Sequence, residues 1–99
     1  MRVIAKRTLR EFWSSKSQYA DAEDPLSAWH SVCVQARWQD PNDLKATFRS
    51  VSFVGKNVVF NIAGNKYRLV ANISYSRQAI FVKFVGTHKQ YDALDVGSL

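Results

Sequence analysis

Six consecutive residues near the end of the chain carry most of its potential for chemistry: Thr87-His88-Lys89-Gln90-Tyr91-Asp92. They follow an apolar run directly, so we expect them where a strand ends. An imidazole such as that of His88 can accept or donate a proton near neutral pH. Lys89 offers a cation, and Tyr91 offers an aromatic face or an orienting hydroxyl. The segment therefore predicts proton transfer beside an anionic group.

Two cations on neighbouring predicted strands belong to the same hypothesis. Arg68 and Lys83 lie at positions that alternate away from the densest apolar rows. A guanidinium fork can hold two oxygens of one phosphate, which makes Arg68 a candidate phosphate clamp. Two alternatives stay open: Arg68 could form an ion pair with Asp92, and His88 could be an ordinary surface or capping residue.

The distribution of charge points to the kind of ligand. The chain has a net charge of +6, and residues 44–91 contain eight lysines and arginines with no Asp or Glu. A long basic segment without acids creates a positive field that suits a polyanion such as a nucleic acid. The competing interpretation is a basic surface that only maintains solubility.

Several classes of site are excluded by what the chain lacks. No two Cys or His residues stand at metal-ligand spacing, and no paired carboxylates lie in the basic half, so we expect neither a metal nor a cofactor. The single Cys33 excludes an internal disulfide and suits a reducing cytoplasm. No apolar run approaches the roughly 18 residues of a membrane helix, and no signal peptide is evident. The glycines are too far apart for a phosphate loop.

The elements that must position these residues divide the chain into a helical part and a strand part. Ninety-nine residues allow a single domain, residues 1–99. Thr8-x-x-Glu11 predicts a capping box that opens a helix running to about Ser15 or Lys16. Asp24 and Pro25 predict the N-cap and first position of a second helix. That helix should end before a turn cluster at residues 40–43, and a short helix is possible at 44–48.

After residue 50 the apolar pattern alternates as in strands. Gly64-Asn65 is a hairpin signal, and Ile80, Val82 and Phe84 share one predicted face of the last strand. Helices followed by a meander predict an α+β fold with N-terminal helices packed on a small antiparallel β-sheet. We expect the helices to cover one face and to leave the other, partly basic, face exposed. The predicted strands are 2–5, 57–63, 66–75 and 79–85.

The apolar residues of the helical half have an expected structural role. Trp13, Trp29 and Trp38 all lie there, so they should pack the helices on the sheet. Cys33 falls on the apolar stripe of the second helix and should belong to the core.

Four segments carry a resemblance to a known family: Lys6-Arg7-Thr8-Leu9-Arg10-Glu11-Phe12-Trp13, Val58-Val59-Phe60-Asn61-Ile62, Gly64-Asn65-Lys66-Tyr67-Arg68-Leu69, and Phe81-Val82-Lys83-Phe84-Val85-Gly86-Thr87-His88-Lys89-Gln90-Tyr91-Asp92. With the order of helices and meander, they closely resemble the HigB-type toxins of the RelE superfamily. The similarity covers nearly the whole chain.

The resemblance implies the small α+β fold of microbial ribonucleases and an mRNA interferase, the toxin of a bacterial type II toxin–antitoxin pair. Most relatives cleave mRNA on the translating ribosome, and a cognate antitoxin neutralises the toxin. The implied mechanism is metal-independent. In it Arg68 clamps the phosphorane, Lys83 and Lys89 add positive charge, His88 is acid or base, and Tyr91 orients or stacks a base.

Lys66 and Arg49 are second-rank candidates for holding the RNA backbone. The implied partners are mRNA, the ribosome and the antitoxin, all in the cytoplasm, with no membrane. The competing class is a non-catalytic module that binds RNA or the ribosome through the same basic sheet and cleaves nothing.

Overall fold

Alternating apolar side chains build a five-stranded sheet in the computed structural model, which describes residues 1–99. The strands are β1 (Arg2–Ile4), β2 (Ser52–Val54), β3 (Asn57–Ile62), β4 (Tyr67–Ser74) and β5 (Ala79–Thr87). The helices are α1 (Lys6–Ser15), α2 (Glu23–Gln35), α3 (Pro41–Thr47) and α4 (His88–Asp92), with 3-10 segments at Ser17–Ala22 and Val96–Ser98. No helix combines the length and the apolar character needed to cross a bilayer.

The sheet has the strand order β1-β5-β4-β3-β2. Strands β3 to β5 form the expected antiparallel meander, and β2, which the sequence analysis did not predict, extends it; this confirms the α+β fold class. The sheet as a whole is mixed, because β1 pairs in parallel with β5. Three helices separate β1 from β2 along the chain, so β1 occupies the free edge of β5 instead of joining the meander.

The capping box predicted from Thr8 and Glu11 is wrong. Helix α1 begins at Lys6, and Ala5 before it supplies no side-chain cap. Glu11 instead forms an ion pair with Arg7 one turn earlier, with Nε and Oε1 2.6 Å apart. The chain turns into α1 almost directly from β1, which moves the helix start ahead of the motif.

Helix α2 also begins earlier than predicted. The 3-10 segment Ser17–Ala22 leads directly into Glu23, so the backbone is already helical before Asp24. Asp24 and Pro25 therefore lie in the first turn, and Asp24 is not the N-cap. Two acidic residues near the start still complement the helix dipole.

The turn cluster predicted at residues 40–43 is the start of α3. The Asp40 side chain accepts a hydrogen bond from the Asp43 backbone N–H at 2.9 Å, and Pro41 occupies the first turn. This is the arrangement that Asp followed by Pro favours at a helix N-terminus. The short helix predicted at 44–48 is real, but it spans Pro41–Thr47.

The main core lies between the helices and one face of the sheet. Trp29 and Trp38 are buried there, and Trp29 meets the Phe60 ring edge-on at 5.3 Å between centroids. Cys33 is fully buried, as expected, and burial raises the pKa of its thiol to about 12. The thiol therefore stays protonated at neutral pH and acts as an apolar side chain.

The other face of the sheet is not the open basic surface that the sequence predicts. The C-terminal residues return across it, and Val59, Val70 and Val96 form a second, smaller core. The buried Asn57 amide donates to the carbonyls of Val96 at 3.1 Å and Leu99 at 3.3 Å, which holds this segment against β3. The exposed basic residues are therefore confined to the margins of this face.

A β-bulge at Lys83 reverses the alternation of β5. Val82 pairs with Ala71 and Phe84 pairs with Val70, so Lys83 has no partner on β4. Phe84 consequently packs against the second core, whereas Val82 packs against the main one. The prediction that Phe84 shares a face with Ile80 and Val82 is wrong, because an extra residue shifts the phase.

A candidate active site at the end of the sheet

Strands β4 and β5 bring Arg68 to the same end of the sheet as the segment that holds His88, Lys89 and Tyr91. Arg68 lies opposite Gly86, and Tyr67 lies opposite Thr87. The His88 N–H then donates to the Lys66 carbonyl at 3.3 Å, which extends the contact between the two strands by one more hydrogen bond. The first residue of α4 is thus fixed to the start of β4.

Helix α4 is a short element that the sequence analysis missed. Its capping box is complete: the Thr87 hydroxyl accepts from the Gln90 N–H at 3.1 Å, and the Gln90 side chain accepts from the Thr87 N–H at 2.9 Å. Gln90 also donates to the Tyr19 hydroxyl at 3.4 Å. Thr-x-x-Gln is a capping-box signature, so the signal was present in the sequence.

Arg68 is held close to the α4 helix without a charged partner. Its guanidinium carbon lies 6.0 Å from the centroid of the Tyr91 ring, within the range of a cation–π contact. Its only hydrogen bonds are long ones to the carbonyls of Asn65 (3.3 Å) and Tyr67 (3.5 Å). No carboxylate neutralises it, so its charge is free for an anion.

His88 and Asp92 form a pair across one turn of α4. Nδ1 of His88 lies 2.9 Å from Oδ2 of Asp92, and both side chains are about half exposed (50% and 59%). The alternative in which Asp92 pairs with Arg68 is therefore wrong. Asp92 fixes a hydrogen on Nδ1, which leaves Nε2 of the neutral ring as an acceptor. We call Arg68, His88, Lys89, Tyr91 and Asp92 the strand-end cluster.

Asp21 is a residue of this region that the sequence analysis did not identify. Its carboxylate accepts hydrogen bonds from the Lys66 ammonium and from the hydroxyl of the buried Tyr67. These two bonds, that of Lys66 above all, lower the pKa of Asp21, and the same contact raises the pKa of Lys66. Burial, and then the bond to Asp21, raise the pKa of Tyr67. Because Asp21 lies 45 residues before Lys66, no local pattern reveals the contact.

The remaining predicted residues lie at different distances from the cluster. Lys89 is exposed on α4 beside His88 and forms no ion pair. Lys83 is exposed at the bulge, three residues before Gly86, or about 10 Å along the strand. Arg49 is exposed just before β2, the edge strand farthest from β5, and does not join the cluster.

The cluster contains no arrangement typical of a metal centre. No three His, Cys, Asp or Glu side chains in the chain lie close enough to hold a metal ion. Its polar groups are a guanidinium, an ammonium, an imidazole paired with one carboxylate, and a phenol. Together they can bind a phosphate and move a proton.

Gly86→Ala should destabilise the chain by about 1–3 kcal/mol, the usual range for overpacking. A Cβ at this position would collide with the Phe84 ring and would lie 2.7 Å from the Gln90 side-chain oxygen that caps α4. Urea denaturation monitored by Trp fluorescence measures the change. Gly97→Ala is the matched control, because its Cβ would meet nothing closer than 3.6 Å. Equal stabilities for the two variants would contradict the packing described.

Asp21→Asn should make the free energy of unfolding depend less on pH in the acid range. The folded-state pKa of Asp21 is lowered, so the carboxylate stabilises the fold above the unfolded value of about 3.9 and ceases to do so as pH falls through the folded value. The variant should be less stable than the parent at neutral pH and should lose less stability between about pH 5 and pH 2. Urea titrations across this range measure both. Asp24→Asn, at an exposed carboxylate without an ion pair, is the control; if it has the same effect, the contact with Lys66 is not responsible.

Helices packed on a five-stranded mixed sheet form an α+β fold that is consistent with RelE-like toxins. Residues 22–94 match the family of HigB toxins, described as the RelE-like toxic component of a toxin–antitoxin system. That match spans most of the chain, and the chain belongs to this family.

Relatives with curated names agree with the assignment. Over 95 residues, 93% of this chain and 88% of the relative, the chain is 30% identical to the mRNA interferase toxin HigB of Escherichia coli K12. Identity and coverage are the same for the mRNA interferase HigB of Escherichia coli O157:H7. The mRNA interferase HigB of Escherichia coli O6:H1 is 24% identical over 97 residues, 95% of this chain and 91% of the relative. The resemblance noted in the sequence is confirmed.

Proposed function

We propose that this chain is the toxin of a toxin–antitoxin pair and that it cleaves mRNA at the strand-end cluster without a metal ion. Family membership supports the toxin, and the relatives named mRNA interferase support the reaction. Two contacts at one end of the sheet support the site: an unpaired guanidinium, Arg68, lies against Tyr91 of α4, and a carboxylate, Asp92, orients the imidazole of His88 on the same helix.

RNA supplies its own nucleophile, which is why so small a cluster is sufficient. The 2′-hydroxyl oxygen attacks the adjacent phosphorus, a pentacovalent phosphorane forms, and the bond to the 5′-oxygen breaks. The protein must remove the 2′-proton and stabilise the extra negative charge. The products are a 2′,3′-cyclic phosphate, which can open to a 3′-phosphate, and a 5′-hydroxyl.

His88 is the base in this scheme, because the hydrogen bond to Asp92 leaves the Nε2 lone pair available. General-base assistance is worth about 10²–10⁴-fold in rate. Arg68 binds two phosphate oxygens and stabilises the phosphorane, with Lys89 adding charge. The phenol ring of Tyr91 positions Arg68 through the cation–π contact, so at least one face of the ring is already in use.

The other predicted cations act outside the cluster. Lys83 and Arg49 are exposed and unpaired, so we assign them to contacts with the RNA backbone away from the cleaved bond. Lys66 contributes less, because Asp21 neutralises part of its charge. The cluster has a base but no second dedicated acid, so the leaving 5′-oxygen takes its proton from water. A single base with several cations is a weak set of acid–base groups. Such a site favours cleavage on the ribosome, which would hold the mRNA in position in the bacterial cytoplasm.

The test of this function is a map of mRNA 5′ ends after brief induction in a bacterial host. We expect new, discrete ends carrying 5′-hydroxyl groups, and we expect co-expression of the antitoxin to abolish them. The alternative, a non-catalytic module that binds RNA or the ribosome, predicts growth arrest without new ends. Growth arrest with an unchanged map of ends would therefore refute cleavage and support the alternative.

EDTA should leave the cleavage activity of the purified protein unchanged. The reason is chemical: no group of side chains is placed to hold a divalent ion, and the proposed base and clamp are organic groups. The measurement is the slow cleavage of a short single-stranded RNA by excess protein, because EDTA dissociates the ribosomes that would otherwise hold the mRNA in position. If EDTA abolished cleavage and Mg²⁺ or Mn²⁺ restored it, the metal-independent mechanism would be wrong.

A further inference from the structure

A continuous groove runs along α2, from the end of the sheet that carries Asn61 and Ile62 toward the opposite end. It begins as a depression of about 270 Å³ beside Pro25 and Trp29 and passes Val32 into a larger depression of about 710 Å³ between α2 and α3. Ala36, Trp38 and the exposed Val32 (41%) make this part mostly apolar. We call the two depressions together the α2 groove.

The α2 groove opens into a pocket lined by three arginines. Arg2, Arg37 and Arg77 surround about 580 Å³, and no carboxylate lines this space. None of the three forms an ion pair within the chain. Gln35, Ala36 and Arg37 belong both to this pocket and to the groove, so the two are one surface. We call the pocket the arginine cradle.

Hydrogen bonds fix the backbone beneath the arginine cradle. The Gln78 side chain donates to the Trp38 carbonyl at 2.7 Å and to the Tyr75 carbonyl at 2.9 Å, which ties the β4–β5 turn to the chain after α2. The Met1 ammonium donates to the Cys33 carbonyl at 3.0 Å and to the Ala36 carbonyl at 2.6 Å. The cradle is therefore preformed, and a ligand would have to order only the arginine side chains.

We propose that the α2 groove and the arginine cradle bind the antitoxin, through a segment that presents apolar side chains followed by carboxylates. Charge complementarity selects the acidic end, because three unpaired guanidinium groups converge where no acid lies. The apolar part favours a protein over RNA as the ligand. An RNA bound through its phosphates would leave Val32 and the exposed Val34 (47%) in contact with water. Helix α2 has 13 residues, so the groove is about 20 Å long and accommodates a helix of three to four turns.

The proposal rests on the toxin–antitoxin assignment, but it concerns a different surface from the one that cleaves. Arg2 pairs with Ala79 at the start of β5, and Arg77 lies in the turn before it. The strand-end cluster follows the other end of the same strand. Changes in the cradle should therefore leave the RNA-cleaving groups in place.

The test measures binding of the purified cognate antitoxin to three variants of the chain. Arg37→Glu combined with Arg77→Glu should weaken binding by about 100-fold, since both charges would then repel the acidic end. Val32→Glu should weaken it by at least about 10-fold, because a carboxylate would lie in the apolar groove. Arg10→Glu, an exposed charge reversal on α1, should change the dissociation constant by less than about threefold. Circular dichroism confirms that each variant is folded.

Two outcomes would overturn the proposal. One is antitoxin binding by both test variants within about threefold of the parent. The other is unchanged antitoxin binding with loss of binding to purified ribosomes, which would make the cradle an RNA site. Cleavage of mRNA by the variants in the absence of antitoxin is recorded in parallel. If the parent binds the antitoxin through this groove yet cuts no RNA, the proposed reaction fails while the docking surface stands.

Discussion

Replacement of Arg68 by alanine should lower the rate of mRNA cleavage by about 10²–10³-fold while the protein stays folded. The guanidinium has no carboxylate partner in the folded chain, so its loss removes little that stabilises the fold. Its proposed contribution arises on the phosphorane, where loss of one preorganised donor costs about 2.7–4 kcal/mol in comparable oxyanion sites. Quenched-flow or gel-based cleavage of a defined mRNA measures the rate, and urea denaturation measures the stability.

Two further variants make this result specific. Arg68→Lys keeps the charge but loses the fork, so it should recover only part of the activity. Arg10→Ala removes an exposed arginine of α1 and should cleave at the parental rate. An Arg68→Ala protein with full activity would place the phosphate elsewhere. An unfolded one would show that the residue is structural.

The largest expected effect on stability comes from Trp29→Ala, which should cost about 3–5 kcal/mol, the usual range for a large buried aromatic residue. Trp29 is 3% exposed and packs edge-on against Phe60 beneath α2, so its removal leaves a cavity between helix and sheet. The remaining folded fraction should retain its specific activity, because the cavity lies away from the strand-end cluster. Chemical denaturation and cleavage assays on the same preparation separate the two effects.

Trp29→Phe is the informative control for this cavity. The indole N–H of Trp29 is buried without a hydrogen-bond partner, so its deletion removes a polar group that gains nothing from burial. The phenylalanine variant should therefore lose much less stability than the alanine variant. If the two lost equal stability, the indole nitrogen would have a role that packing does not explain.

The sequence predicted those parts of the fold in which local pattern and tertiary contact agree. Strands β3 and β4 alternate regularly, and the predicted ranges 57–63 and 66–75 agree with them to within one residue at each end. Capping boxes show where local pattern alone is insufficient. Thr8 and Glu11 match the motif without forming it, whereas Thr87 and Gln90 form it at the start of a helix only five residues long. In the second case the strand before the motif and the bond from His88 to Lys66 fix the helix start.

The sequence analysis named the residues of the candidate site but did not predict which of them contact one another. Arg68, His88, Lys89 and Tyr91 do lie together, because β4 and β5 are adjacent and α4 follows without a loop. The partner of His88 required knowledge of α4, since Asp92 reaches the imidazole only at helical i,i+4 spacing. The contact of Asp21 with Lys66 and Tyr67 joins distant parts of the chain and has no local signal.

The bulge at Lys83 makes the length of β5 as important as its composition. The bulge adds one residue to β5, and this extra residue determines which face of the sheet each side chain after it, from Phe84 onward, points to. If Lys83 paired in a regular ladder instead, Phe84 would turn toward the helices, and Gly86 would lie opposite Tyr67 rather than Arg68. Homologues can therefore diverge in side chains along this strand and can even lose the bulged residue, but a nine-residue strand without the bulge would carry the histidine and its helix out of register with the arginine.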